Sequence, residues 1–180
     1  MKTAKNVRPG WMDFILTGLV KSGALIGLML WLMAVPVRAE MPRVENFQDV
    51  GQQAKAQNLP VVIYFSRLRC GPCQRFEENA LLPLVGNDLT DGFIRIVELQ
   101  ADSKETVLDF EGQSVPPQEM AALYNVTTFP KLVFVDHEGE PMGIRMENSG
   151  AYDYFPYYFK QRINQALEQL GNPLRVTNEF

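Results

Sequence analysis

The chain has 180 residues, 46% of them hydrophobic and 21% charged, with 17 Lys+Arg against 21 Asp+Glu and a formal net charge of −4. That composition suits one ordinary globular domain with a sizeable core and excludes a disordered chain. So acidic a balance, with no Gly-rich phosphate loop, argues against nucleic acid or anionic lipid as a partner.

The N-terminus reads as a segment apart. Lys2, Lys5, Arg8 and Lys21 lead into an uncharged apolar run from Gly23 to Val35, and "VRAE" follows with the small residues Val37 and Ala39. A basic start, an apolar stretch and a small-x-small exit describe a secretory signal over residues 1–39. The competing reading is an uncleaved membrane anchor, since Phe14 to Val35 matches the roughly 20 apolar residues a span requires. Lys21 interrupts that span, and Pro36 with the Val-Arg-Ala site favours cleavage after Ala39. Removing residues 1–39 leaves 12 basic against 20 acidic residues, a formal net charge of −8. Export predicts a periplasmic protein, and outside the cytosol two nearby cysteines can be oxidised.

A single domain is expected over residues 40–180. Glu40 to Glu45 reads as a short polar leader, and Asn46 as the cap of a helix with Phe47, Val50 and Ala54 on one face. "VVIYFS", Val61 to Ser66, has the β-branched and aromatic run of a strand buried on both faces. After it come "RLRCGPCQRF" and then Phe76, Ala80, Leu81 and Leu84 at helical spacing, so the cysteines stand where a strand ends and a helix begins. Phe93 to Leu99 alternates as a second strand, and "TVLDFEGQSV" predicts a small hairpin turning at Glu111-Gly112. Glu119 to Tyr124 suits a short helix with Met120 and Leu123 inward. Lys131 to Asp136 and Pro141 to Met146 are strands joined by the "HEGE" turn. Tyr152 to Leu170 closes the chain as a helix with Tyr154, Tyr158, Ile163, Leu167 and Leu170 toward the core, and Pro156 in its first turns. The order of elements describes an α/β sandwich, a sheet covered by helices.

The chemistry concentrates in the two cysteines, Cys70 and Cys73. A thiol attacks a disulfide only as the thiolate, so a redox cysteine needs a lowered pKa and access. Cys70 would sit at the positive end of the helix opened by Gly71-Pro72, where unpaired N–H groups point at its sulfur. Arg67, Arg69 and Arg75 would add positive charge. Cys73, one turn along, is the natural resolving thiol and the more buried of the two. A zinc site needs four ligands, and the chain offers one histidine, His137, and no second cysteine pair. A c-type haem attachment needs His where Gln74 stands. A structural disulfide here would close a tiny loop and gain little chain entropy. A redox role is the reading these weights favour.

"CGPC" after an apolar strand, with "TTFPKLVFVD" following later, resembles the thioredoxin superfamily over roughly Phe47 to Leu170. The resemblance implies a thioredoxin-like fold, a central mixed sheet flanked by helices, with the hairpin around residues 103–116 as an insertion. It implies Cys70 as the attacking thiol, Cys73 as the resolving thiol, and Phe129-Pro130, with a cis-proline, as the turn where substrate peptides dock. No cofactor and no metal are implied. This chain departs from typical cytosolic thioredoxins at two places. Tyr64 stands where they carry a buried Asp that helps move the second thiol's proton, and Arg69 replaces the tryptophan before the motif. With Gly71 and Pro72, these two residues are candidates for tuning the thiol pKa. Glu77 and Glu78 are possible replacements for the acid, though a solvated helix face accounts for both.

The signal and the insertion resemble exported bacterial thioredoxin-like proteins, a subgroup that includes those associated with periplasmic sulfur oxidation. Gly-Pro between the cysteines resembles the reducing members of the superfamily, whereas Arg69 pulls the other way by favouring thiolate. The expected function is a periplasmic thiol–disulfide oxidoreductase that reduces partner proteins' disulfides. Its partners would be disulfide-containing periplasmic proteins and, because reduction there draws electrons across the membrane, a membrane-embedded electron donor. The alternatives are a disulfide oxidant or isomerase, or a peptide-binding, chaperone-like module with an inert disulfide, for which the aromatic run Tyr152 to Phe159 is the motive.

Overall fold

The structure, a computed structural model, describes residues 40–85, 90–147 and 150–177. The expected export segment, residues 1–39, lies outside the described residues. Among the described residues no helix is long and apolar enough to cross a membrane.

Helix α1, Phe47–Gln57, opens at Asn46, whose side chain accepts the Asp49 N–H, and ends on Asn58 in the left-handed conformation. Strand β1, Val61–Ser66, is buried at every position. Helix α2, Gly71–Phe76, runs without a break through a π-helical stretch, Glu77–Leu81, into α3, Leu82–Val85. Strand β2 is Arg95–Gln100, the hairpin strands β3 and β4 are Val107–Leu108 and Ser114–Val115, and α4 is Pro117–Leu123. Strands β5, Lys131–Val135, and β6, Pro141–Glu147, lead through a 3-10 turn, Tyr152–Tyr154, into α5, Phe155–Gln169.

The four long strands form one sheet in the order β2-β1-β5-β6. β1 runs parallel to β2 and antiparallel to β5, and β5 is antiparallel to β6, so the sheet is mixed. Side chains alternate across it. Val62, Tyr64, Leu132 and Phe134 face Phe76, Ala80 and Leu81 and the α5 residues Phe159, Ile163 and Leu167. Val61, Ile63, Phe65 and Val133 face Phe47 and Ala54 of α1 and Met120 and Ala121 of α4. The site therefore stands on a strand held from both sides. The hairpin turns at Gly112, whose φ of +80° only glycine adopts without strain.

Four expectations change. The leader is not simply polar: Met41 and Val44 are buried, and Val44 N–H donates to the Glu98 carbonyl while Glu98 N–H donates to that of Pro42. It thus pairs with the outer edge of β2, and β2 is buried from Ile96 through Leu99 instead of alternating. Leu123 is 68% exposed, because α4 turns Met120, Ala121 and Tyr124 inward. At the head of α5, Tyr154 of the 3-10 turn and Tyr158 are exposed while Phe155 and Phe159 are buried. The buried stripe is phased by Ile163, Ala166 and Leu167. Counting back in fours from Ile163 reaches Phe159 and Phe155, one residue away from the expected register.

Candidate active site

The site begins where β1 stops. Past Ser66 the chain turns through Arg67, Leu68 and Arg69, all exposed, with Arg69 at a φ of +54°. Asp102 fastens this turn: its Oδ1 accepts the Leu68 N–H at 2.8 Å, and its Oδ2 lies 3.6 Å from Arg67 Nε. Cys70 then takes the N-cap position of α2 in extended conformation, with Pro72 in the first turn where a missing N–H costs nothing. Its Sγ accepts the Cys73 N–H at 3.1 Å. The sulfur that caps the helix receives an orphan backbone donor at the positive end of the peptide dipoles.

Cys70 and Cys73 are joined as a disulfide with their Cα atoms 5.2 Å apart. Cys73 is 3% exposed, whereas Cys70 is only half-buried and Gly71 and Pro72 are open to solvent. The pair is asymmetric: one sulfur reachable from outside, the other enclosed.

Across from Cys70 lies the segment before β5. Thr127 and Thr128 are exposed, Phe129 is half-buried, and the Phe129–Pro130 peptide bond is cis. Thr127, Thr128 and Phe129, with Arg67, Leu68, Arg69 and Cys70, line an open hollow of about 440 Å³. The Arg67 guanidinium lies 5.5 Å from the centroid of the Phe129 ring, a cation–π arrangement that forms one wall. Beyond that wall a second hollow of about 520 Å³ extends to Gln118, Ala122 and Asn125 of the α4 region. The structure thus brings Arg69, Cys70 and Phe129 around one opening, with Gly71, Pro72 and the enclosed Cys73 following Cys70 in α2 and the buried Pro130 following Phe129.

Tyr64 lies beneath the motif and reaches its backbone. Its hydroxyl donates to the Cys73 carbonyl at 3.0 Å, and its ring packs on Phe76 at 6.0 Å between centroids. Burial, reinforced by the Glu77 and Glu98 carboxylates, pushes the phenol well above its ordinary value, so it remains a neutral donor. Of the two candidate acids, Glu78 is exposed and accepts from Gln74 Nε2. Glu77 is half-buried, and its carboxyl is raised first by burial and then by Glu98, against the lowering hydrogen bond from the Met41 N–H.

Glu98 is absent from the sequence expectations. It is 6% exposed and sits in register with Tyr64 on β2, accepting from Ser66 Oγ at 2.5 Å and lying 3.4 Å from Arg43 Nε. A carboxylate inside the apolar run "RIVELQ" is the signal that marks it. Lys131, directly after Pro130, is similarly buried, with its Nζ 2.8 Å from Glu147 Oε1. Among the described residues no three His, Cys, Asp or Glu side chains converge as metal ligands.

A mixed sheet between helix layers, with Cys70 of a Cys-x-x-Cys pair capping the helix that follows a central strand, defines a thioredoxin-like architecture. Residues 47–167 match the family described as the thioredoxin-like domain, and the chain belongs to that family. It is similar to the disulfide bond reductase DsbH of Chlamydia pneumoniae, 26% identical over 121 residues that span 65% of this chain and 72% of that protein. Among solved structures, a DsbH oxidoreductase superposes with a TM-score of 0.54 at 22% identity, covering 73% of this chain and 90% of its own. The thioredoxin of Fasciola hepatica gives a TM-score of 0.42 at 17% identity over 64% of this chain and 96% of its own. The protein is a thiol–disulfide oxidoreductase of the thioredoxin superfamily.

Proposed function

We propose that the protein is an exported, periplasmic reductase of disulfides in partner proteins. The observation that carries this reading is the asymmetry of the cysteine pair: Cys70 capping α2 and reachable, Cys73 enclosed one turn behind it. In the reduced enzyme the Cys70 thiolate attacks one sulfur of a partner's disulfide, forming a mixed disulfide and releasing the other sulfur as a thiolate. Cys73 loses its proton and attacks Cys70, which frees the partner's second thiolate. Two electrons pass to the partner, whose thiolates take up two protons, and the enzyme is left with the Cys70–Cys73 disulfide. Phe129 and Pro130 supply the turn against which the partner's chain docks.

Reduction is favoured over oxidation by Gly71-Pro72 between the cysteines and by the similarity to a disulfide bond reductase. Export rests on the basic, apolar and small-residue pattern of residues 1–39. In that compartment the oxidised enzyme must be re-reduced by a membrane-embedded electron donor.

Direction is tested by equilibrating the protein with glutathione and measuring its reduction potential. A value near the ~−270 mV of thioredoxin supports a reductase, whereas one near the ~−120 mV of a strong oxidant overturns that direction. A value well below about −300 mV would mark an inert structural bridge.

A further inference from the structure

The residues around Cys70 carry a charge opposite to that of the rest of the domain. Residues 40–177 are strongly acidic overall, yet "RLRCGPCQR", Arg67 to Arg75, holds three arginines and no carboxylate. Arg67 is balanced by Asp102. The other two are not. Arg69 lines the hollow beside Cys70, held there by a left-handed backbone that a bulky side chain rarely adopts. Arg75 folds back along α2, its Nη1 3.5 Å from the place a side chain on Gly71 would occupy. Both are exposed, and among the described residues neither makes an ion pair.

The carboxylates that might neutralise them are engaged elsewhere. Asp102 holds Arg67 and the Leu68 N–H, Glu78 accepts from Gln74, and Glu77 is turned toward the Met41 N–H and Glu98. One of these guanidinium-bearing side chains lines the hollow at Cys70, and the other lies against Gly71, the next residue.

We propose that the preferred substrates are disulfides flanked by Asp or Glu, with Arg69 and Arg75 as the specificity-determining residues. The inference rests on the reductase reading and names the substrate class of that same site. As a partner's disulfide nears Cys70, its flanking carboxylates come within reach of the two guanidiniums. The electrons and protons move as in the reductase step, from the Cys70–Cys73 dithiol to the partner's disulfide. The domain's overall negative charge repels an acidic partner at long range. At a Debye length of ~10 Å in 0.1 M salt that field is largely screened, and the adjacent arginines dominate. Selection therefore acts on the residues beside the disulfide rather than on a partner's total charge.

Three short peptides with one internal disulfide, flanked by Glu, Ser or Lys, provide the test when mixed with the pre-reduced protein. Two exposed ion pairs predict a rate constant on the order of threefold to tenfold higher for the Glu peptide than for the Lys peptide at low salt. The ratio should collapse in about 1 M salt, where the screening length is ~3 Å. It should also collapse in Arg69→Gln/Arg75→Gln and return in Arg69→Lys/Arg75→Lys. Because a ratio is read, a change in thiolate reactivity that affects all three peptides alike cancels. Equal rates for the three peptides, or a ratio that survives both glutamine substitutions, would overturn the inference and leave the reductase reading standing. Reduction of none of the three would overturn both.

Discussion

The corner that carries the cysteines and the aromatic run at the head of α5 touch, with Phe76 and Phe155 ring centroids 5.0 Å apart, yet they are specified in opposite ways. The corner is held by short-range devices: a sulfur capping a helix three residues on, a proline in the first turn and an aspartate fastening the preceding turn. The aromatic run is held by distant partners. Phe159 packs on Phe134 of β5, and Phe155 on Phe76 and Phe159, while Tyr154, Tyr157 and Tyr158 of the same run point into solvent. Reactivity at the corner can thus be removed with little change in packing, and packing at the run can be removed with little change in chemistry.

The largest expected effect is at the corner. Cys70→Ser should abolish disulfide reduction, while urea unfolding stays within about 0.5 kcal/mol of the reduced parent, because Ser is itself a good N-cap. Phe159→Ala is the counterpart in the run. Its side chain is fully buried, and truncation should cost about 3–5 kcal/mol in urea unfolding while the reduction rate per folded molecule stays close to the parent's.

Tyr64→Phe lies between the two, since it removes a buried hydrogen bond under the motif but keeps the ring. A loss of about 0.5–1.5 kcal/mol is expected, towards the lower end because the Glu77 N–H still reaches the Cys73 carbonyl. Glu77 has a raised carboxyl pKa, so stability is lost as pH rises from its unfolded value through its folded one. Glu77→Gln should then raise the melting temperature slightly at pH 7 and leave it unchanged at about pH 3, below both values. Tyr158→Ala, at an exposed aromatic, should stay within about 0.5 kcal/mol of the parent. A large loss there would mean that the outward half of the run is structural after all.

How far each region is legible in the sequence follows from the same difference. Asn46, Pro72 and the run Val61 to Ser66 signal their structure within a few residues, so α1, β1 and the strand–helix junction can be placed from local pattern alone. The asymmetry of Cys70 and Cys73 follows from their places along one helical turn. The phase of α5 does not. Within the aromatic run Tyr154/Tyr158 and Phe155/Phe159 both repeat at helical spacing; the buried pair is the one in phase with Ile163 further along, where Phe134 and Phe76 receive it. Glu98 stands out in its apolar run, but its partners are illegible for a related reason: Ser66 is 32 residues away, and Tyr64 comes alongside only through the β1–β2 register. The leader shows the same limit, for its buried Met41 and Val44 are explained by pairing with β2 and not by anything near them in the chain.

The assignment of roles to the two sulfurs is most directly tested by mass spectrometry of single-cysteine variants mixed with a peptide disulfide. Cys73→Ser should accumulate a mixed disulfide through Cys70, because the resolving thiol is gone and the attacking one is reachable. Cys70→Ser should accumulate none, because the remaining thiol is enclosed. Equal adducts on both variants, or an adduct on Cys73 alone, would contradict the account.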